Sequence, residues 1–209
     1  MNTISTLGSA RAGKRNWWQW LLRSTGLESW FQRVPAVAHA GQQEHILLLL
    51  ALASSTVPST LLADALRACA PAFAASGGEV VSYRPGTLLL AWPTGAGQPL
   101  PPVATLYFQV RACAQRLAGP AALSLGGAAG LSWAAPGAAA RHYDQASLGE
   151  VAGILHESQQ MGSQLLLSAA LHDRLAPLVA EHCTLHVAFK VPGHRYPATL
   201  YQVVAPAGS

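Results

Sequence analysis

Two regions of the chain differ in how apolar and polar positions alternate. Residues 1 to 16 carry Ser, Thr, Gly, Arg and Lys with no apolar period and read as a flexible tail. From Asn16, Trp17, Trp20, Leu21, Leu27, Trp30, Phe31 and Val34 recur at helical spacing, interrupted at Thr25-Gly26 and closed by Pro35. That pattern predicts one broken or two short amphipathic helices, followed by a small, polar linker to about residue 43. Ile46 to Ala53 is a continuous apolar run bounded by Ser and Thr, which fits a buried strand, while its unbranched leucines leave a helix open by periodicity alone. Ser59 is placed to cap a helix through Leu61, Leu62, Ala65, Leu66 and Cys69 that ends before Gly77-Gly78. Glu79–Ser82 and Thr87–Trp92 flank Arg84-Pro85-Gly86 and predict a hairpin.

Beyond a proline-rich loop over residues 93 to 102, Val103–Leu117 predicts a helix and Leu123–Trp133 a glycine-rich strand. Ser147–Gln160 and Ala169–Val179 predict two more helices, separated by a short strand at Leu165–Leu167. Leu185–Phe189 and Leu200–Val204 close the chain as a strand pair, before a tail at residues 205 to 209. The order contains the β-α-β-β-α-β arrangement of ferredoxin-like sheets. It predicts an α/β fold, an α+β sandwich whose mostly antiparallel sheet carries helices on both sides.

Four segments, in order, resemble the class III adenylate and guanylate cyclase catalytic domain. LLLLALASST, residues 47 to 56, is similar to a strand ending F-A-D-I-x-G-S-T. GGEVVSYRPGTLLLAW, residues 77 to 92, resembles G-G-x-V-V-K-x-x-G-D-G-x-L-A-x-F. LSLGGAAG, residues 123 to 130, is similar to V-G-I-H-x-G, and the run from Tyr143 through MGSQLLLS resembles a helix D-x-V-N-x-A-A-R followed by P-G-x-I-L-V-S. FKVPGHRYPATLYQVV resembles the family's closing L-K-G-x-x-x-P-x-x-x-Y-x-V. The resemblance covers residues 44 to 204.

The resemblance implies cyclisation of a nucleoside triphosphate by two metal ions on two aspartates. Those aspartate positions fall on Ala51 and Gly86, and the base-reading lysine position on Ser82. The helix that would supply an asparagine and an arginine reads V-A-G-I-L-H over Val151–His156. No catalytic, cofactor or metal residue is therefore assigned, and no cofactor is expected. The expectation is a degenerate, pseudoenzyme form of the domain, not itself an enzyme, acting as a regulatory and protein-interaction module. In the family the active site forms between two domains, so the resemblance implies a homodimer or pairing with a related cyclase-like domain. The alternative is a nucleotide-binding protein or atypical cyclase rebuilt around Arg84, a candidate anion contact in the hairpin tip.

Composition narrows the partners. Apolar residues make up 51% and charged residues 11% of 209, against about a quarter charged in an ordinary domain, so part of the surface is expected to meet another surface. The net charge of +4 is concentrated before residue 34 in Arg11, Lys14, Arg15, Arg23 and Arg33, opposed there only by Glu28. No basic stripe remains for phosphates, so no nucleic-acid partner is expected. Trp17, Trp18, Trp20, Trp30 and Phe31 are candidate contacts to a protein partner or, in a second alternative, to a membrane surface as a peripheral adaptor. The eight-residue run at Ile46–Ala53 is too short to cross a bilayer, and no signal peptide is apparent, which predicts a cytoplasmic location. Cys69, Cys113 and Cys183 lack paired spacing and read as small core hydrophobes. His182, Cys183 and His186 have a tempting spacing, but an alternating strand would turn Cys183 away from the two histidines. Asp144 and Glu150, beside the degenerate helix, read as capping or solvated groups.

Overall fold

A computed structural model describes residues 42–53, 58, 60–95, 98–119, 123–135, 143–179, 182–188 and 198–205. The Trp-rich segment, with Trp17, Trp18, Trp20, Trp30 and Phe31, lies outside the described residues, as does Ser59.

The leucine run forms β1 (Gln43–Leu52), the middle of a seven-stranded sheet. It is hydrogen-bonded on both sides, to β3 (Thr87–Pro93) and to β4 (Leu125–Ala134), antiparallel in each case. That position explains why six successive residues, Ile46–Ala51, are apolar rather than alternating: both faces are covered. The edge strand β2 (Glu79–Arg84) joins β3 through the two-residue turn Pro85-Gly86. Gly86 has φ 74°, the left-handed value that the third position of a type II turn demands, with proline before it.

The remaining strands are β5 (Leu165–Ser168), β6 (Cys183–Ala188) and β7 (Ala198–Val203), giving the order β2-β3-β1-β4-β5-β7-β6. Among the described residues only the β4–β5 pair is parallel. The sheet is therefore mostly antiparallel, as expected.

The helix expected over residues 61 to 76 is broken into α1 (Leu61–Ala68) and α2 (Ala70–Ala75). Pro71, which favours a first turn and cannot continue a helix above it, sits at the start of α2. The cap of α1 is Thr60, and no side chain bonds the helix end. Gly77 leaves α2 with φ 70°, and Gly78 gives room to Phe73 and Trp92, whose rings meet edge to face at 5.9 Å.

Three further helices follow: α3 (Val103–Ala118), α4 (Gln145–Gln160) and α5 (Ala169–Val179). Leu61, Leu62 and Leu66 of α1, Leu106, Tyr107 and Val110 of α3, and Leu171 and Leu175 of α5 join one core with Ile46, Leu48, Leu50 and Trp92 of the sheet. Each such buried leucine or valine contributes about 1.5–3 kcal/mol relative to leaving it exposed. The opposite face of β4 carries α4, so helices cover both sides. Among the described residues no helix is long and apolar enough to cross a membrane.

Candidate functional site

The end of β1 and the β2–β3 turn meet. Ala51 is 4% exposed and lies opposite Thr87, and the Leu52 amide donates to the Gly86 carbonyl at 2.9 Å. The two positions that the resemblance assigns to metal-binding aspartates are thus neighbours, separated only by a strand pairing. A methyl group and a bare backbone stand there, and neither offers an oxygen side chain to a hard cation. A Cβ added at Gly86 would meet nothing within 4 Å, so this position opens away from the sheet. Ser82 pairs with Leu89 just past an irregularity between Val80 and Ser82, and Arg84 pairs with Thr87. Arg84 is half-buried beside the turn, and among the described residues no carboxylate pairs with it.

The helix at the other wall of this region is α4. Its start is fixed by Asp144, whose carboxylate accepts from the Ser147 amide and hydroxyl at 2.9 Å each. Asp144 is therefore a cap, as read from its position. Val151, Ala152, Ile154 and Leu155 are buried against the sheet. A Cβ at Gly130 would stand 2.8 Å from Val151 Cγ2, and one at Gly126 would press on Gln159, Ser158 and Leu155. Gly127 faces the other way and admits the ring of Tyr107, whose hydroxyl donates to the Leu125 carbonyl at 2.9 Å. The glycine-rich strand thus seats α3 and α4 within one chain. That internal packing accounts for its composition without a dimer interface.

Past Leu155 the helix becomes polar. His156 is half-buried, and desolvation holds its pKa below the usual histidine value, partly opposed by Glu157. Glu157 accepts from His186 Nε2 at 3.0 Å, tying α4 to β6. His186 is therefore committed to a carboxylate, while His182 precedes β6 and is exposed. Cys183 is half-buried, with its thiol pKa pushed up by burial. His182, Cys183 and His186 do not converge, and among the described residues no group of three His, Cys, Asp or Glu gathers for a metal.

Two constellations had no sequence signal. Tyr143 donates to Glu79 Oε1, 64 residues away, at 2.9 Å, and packs edge to face on buried His45. Cys69 and Cys113, 44 residues apart, bring their sulfurs to 3.5 Å.

The sheet order, the crossover through α4 and the meeting of Ala51 with Gly86 invite comparison with solved folds. The chain is similar to the adenylyl cyclase CyaB from P. aeruginosa, with TM-score 0.57 and 11% identity, covering 80% of this chain and 96% of that one. It is similar to the guanylyl cyclase Cya2, with TM-score 0.53 and 14% identity over 80% and 95% of the two chains. It is also similar to an adenylate cyclase from Trypanosoma brucei in its monomeric state, with TM-score 0.56 and 12% identity over 86% and 94%. The fold is that of a nucleotide cyclase catalytic domain. No family model matches the chain, and no curated protein matches its sequence.

This likeness corrects one expectation from the sequence. The chain was expected not to be an enzyme, because Ala51, Gly86 and Val151–His156 lack the family's reactive groups. The folds it matches are those of adenylyl and guanylyl cyclases, so the architecture is an enzyme's. What the residues do settle is chemical and local. Positions 51 and 86 of this chain cannot supply carboxylates to a metal ion.

Proposed function

We propose that this cyclase-fold chain is a protein-interaction and regulatory module that works by pairing with a second domain of the same fold. The pairing unit is residues 44 to 204, and the partner is another copy of the chain or a related cyclase domain. The observation that carries this reading is the surface beside the hairpin tip. Strand β2 is a sheet edge, and on it Val80 is 48% and Tyr83 39% exposed, next to Arg84 and Gly86. An exposed edge strand with large apolar side chains is a ready template for another chain. The resemblance implies an active site shared between two domains, and one of the positions it assigns to that site, Gly86, closes the turn at the end of this strand. A charged fraction of only 11% supports a surface built to be covered.

Sedimentation of the full chain tests the proposal. Self-pairing predicts a dimer at about 10 µM that Tyr83→Glu, or Val80→Glu with Tyr83→Glu, converts to monomer, as charge on an apolar contact of ordinary interface size should. Both positions are exposed, so these variants should keep the fold, which circular dichroism verifies. A monomeric wild-type chain that binds an added cyclase domain, with binding lost in the same variants, supports the related-domain form of the proposal. A chain that stays monomeric at high micromolar concentration and binds no cyclase domain overturns it.

A further inference from the structure

Cys69 and Cys113 form a pair that neither the fold nor its likeness to cyclases assigns. Cys69 lies at the junction where α1 ends and α2 begins, with φ −99° and ψ 7°, outside regular helix geometry. Cys113 projects from the buried side of α3. Their sulfurs are 3.5 Å apart. The exposed Arg116, one turn further along α3, donates from Nη2 to Cys113 Sγ at 3.1 Å. Burial, with the contact to Cys113 second, raises the Cys69 thiol to about 11. The two sulfurs thus differ in surroundings: Cys113 touches a guanidinium that reaches the surface, and Cys69 is held as a thiol beside it.

We infer that Cys69 and Cys113 are a peroxide-sensitive thiol pair that closes reversibly to a disulfide between the α1–α2 junction and α3. The Cys113 sulfur attacks hydrogen peroxide, breaking the O–O bond, and its proton leaves with the departing oxygen, giving cysteine sulfenic acid and water. The Cys69 thiol then displaces the sulfenic oxygen as a second water, forming the S–S bond. Two thiols and one peroxide give one disulfide and two waters, and a dithiol reductant reverses the change. Closure requires the sulfurs to move from 3.5 Å to the about 2.05 Å of an S–S bond. Closure ties together two of the elements that cover one face of the sheet.

The test uses the full reduced chain in its folded state, treated with hydrogen peroxide. Free thiols are then counted by alkylation, and peptides are mapped without reduction. The expected result is loss of two of the three thiols together, with one linked species joining the Cys69 and Cys113 peptides, recovered by dithiothreitol. The linkage should form faster than in the urea-unfolded chain. Cys69→Ser should leave Cys113 trapped as sulfenic acid, Cys183→Ser should behave as wild type, and Arg116→Gln should slow the reaction. Survival of all three thiols, oxidation confined to Cys183, or linkage no faster than in the unfolded chain overturns the inference. The wild-type chain alone decides this, so a serine variant that folds poorly does not blur the answer.

Discussion

Gly127 and Gly130 lie three residues apart on β4 and leave room for partners on opposite faces, the ring of Tyr107 and the methyl of Val151. A methyl group at Gly130 would begin 2.8 Å from Val151 Cγ2, closer than packed atoms tolerate. Gly130→Ala should therefore destabilise the chain by about 1–3 kcal/mol in urea unfolding. In a Val151→Ala background the same change should cost less, since the atom it strikes has gone. Equal costs in both backgrounds would show that α4 does not sit where described. On the other face, Tyr107→Phe removes a hydroxyl that donates to the carbonyls of Leu125 and Ser163. Its loss should cost about 1–3 kcal/mol, the penalty for leaving buried acceptors unpaired, read as a lower urea midpoint with an unchanged slope. At this scale the sequence was partly readable. The glycine-rich strand itself was legible, but not which helices fill its glycines, because that depends on Tyr107 and Val151 arriving from distant segments.

The element α4 keeps its apolar face inside and turns His156 toward a half-buried site where the charged imidazolium is disfavoured. Burial is the larger cause of the lowered pKa, and Glu157 opposes it. The folded state therefore binds this proton less readily than the unfolded state does. The stability that His156 confers is complete above its ordinary value of 6.5 and is lost as pH falls through the lowered folded value. Urea midpoints should fall between about pH 7.5 and about pH 5, and His156→Gln should flatten that slope. An unchanged slope in the variant would remove His156 from the account. Strands and helices were mostly legible as elements. Continuous leucine in β1 signalled a buried element but not by itself a strand, and period-3.6 patterns marked α3 and α5. The break between α1 and α2 was missed, because apolar spacing runs on through Cys69 while Pro71 starts a new first turn. The thiol pair at that break was invisible, since nothing local relates residue 69 to residue 113.

At the scale of the whole molecule, sequence order alone carried the ferredoxin-like core and the resemblance to the cyclase domain, and the solved folds agree with it. The meeting of positions 51 and 86 was legible only through that resemblance, because alanine and glycine carry no chemistry of their own. The inference from missing groups to a non-enzyme failed against the enzyme architecture of the matching folds. The glycine-rich strand is filled by helices of its own chain. The proposed pairing puts a partner on the edge at β2, where Val80 and Tyr83 are exposed beside the turn at Gly86. Hydrogen–deuterium exchange of the full chain, compared at sub-micromolar and high micromolar concentration, maps that edge directly. The account predicts that amides within Glu79–Arg84 slow their exchange as concentration rises, while those of the opposite edge strand, Cys183–Ala188, do not. Exchange at Glu79–Arg84 that is the same at both concentrations, or protection confined to Cys183–Ala188, would contradict it.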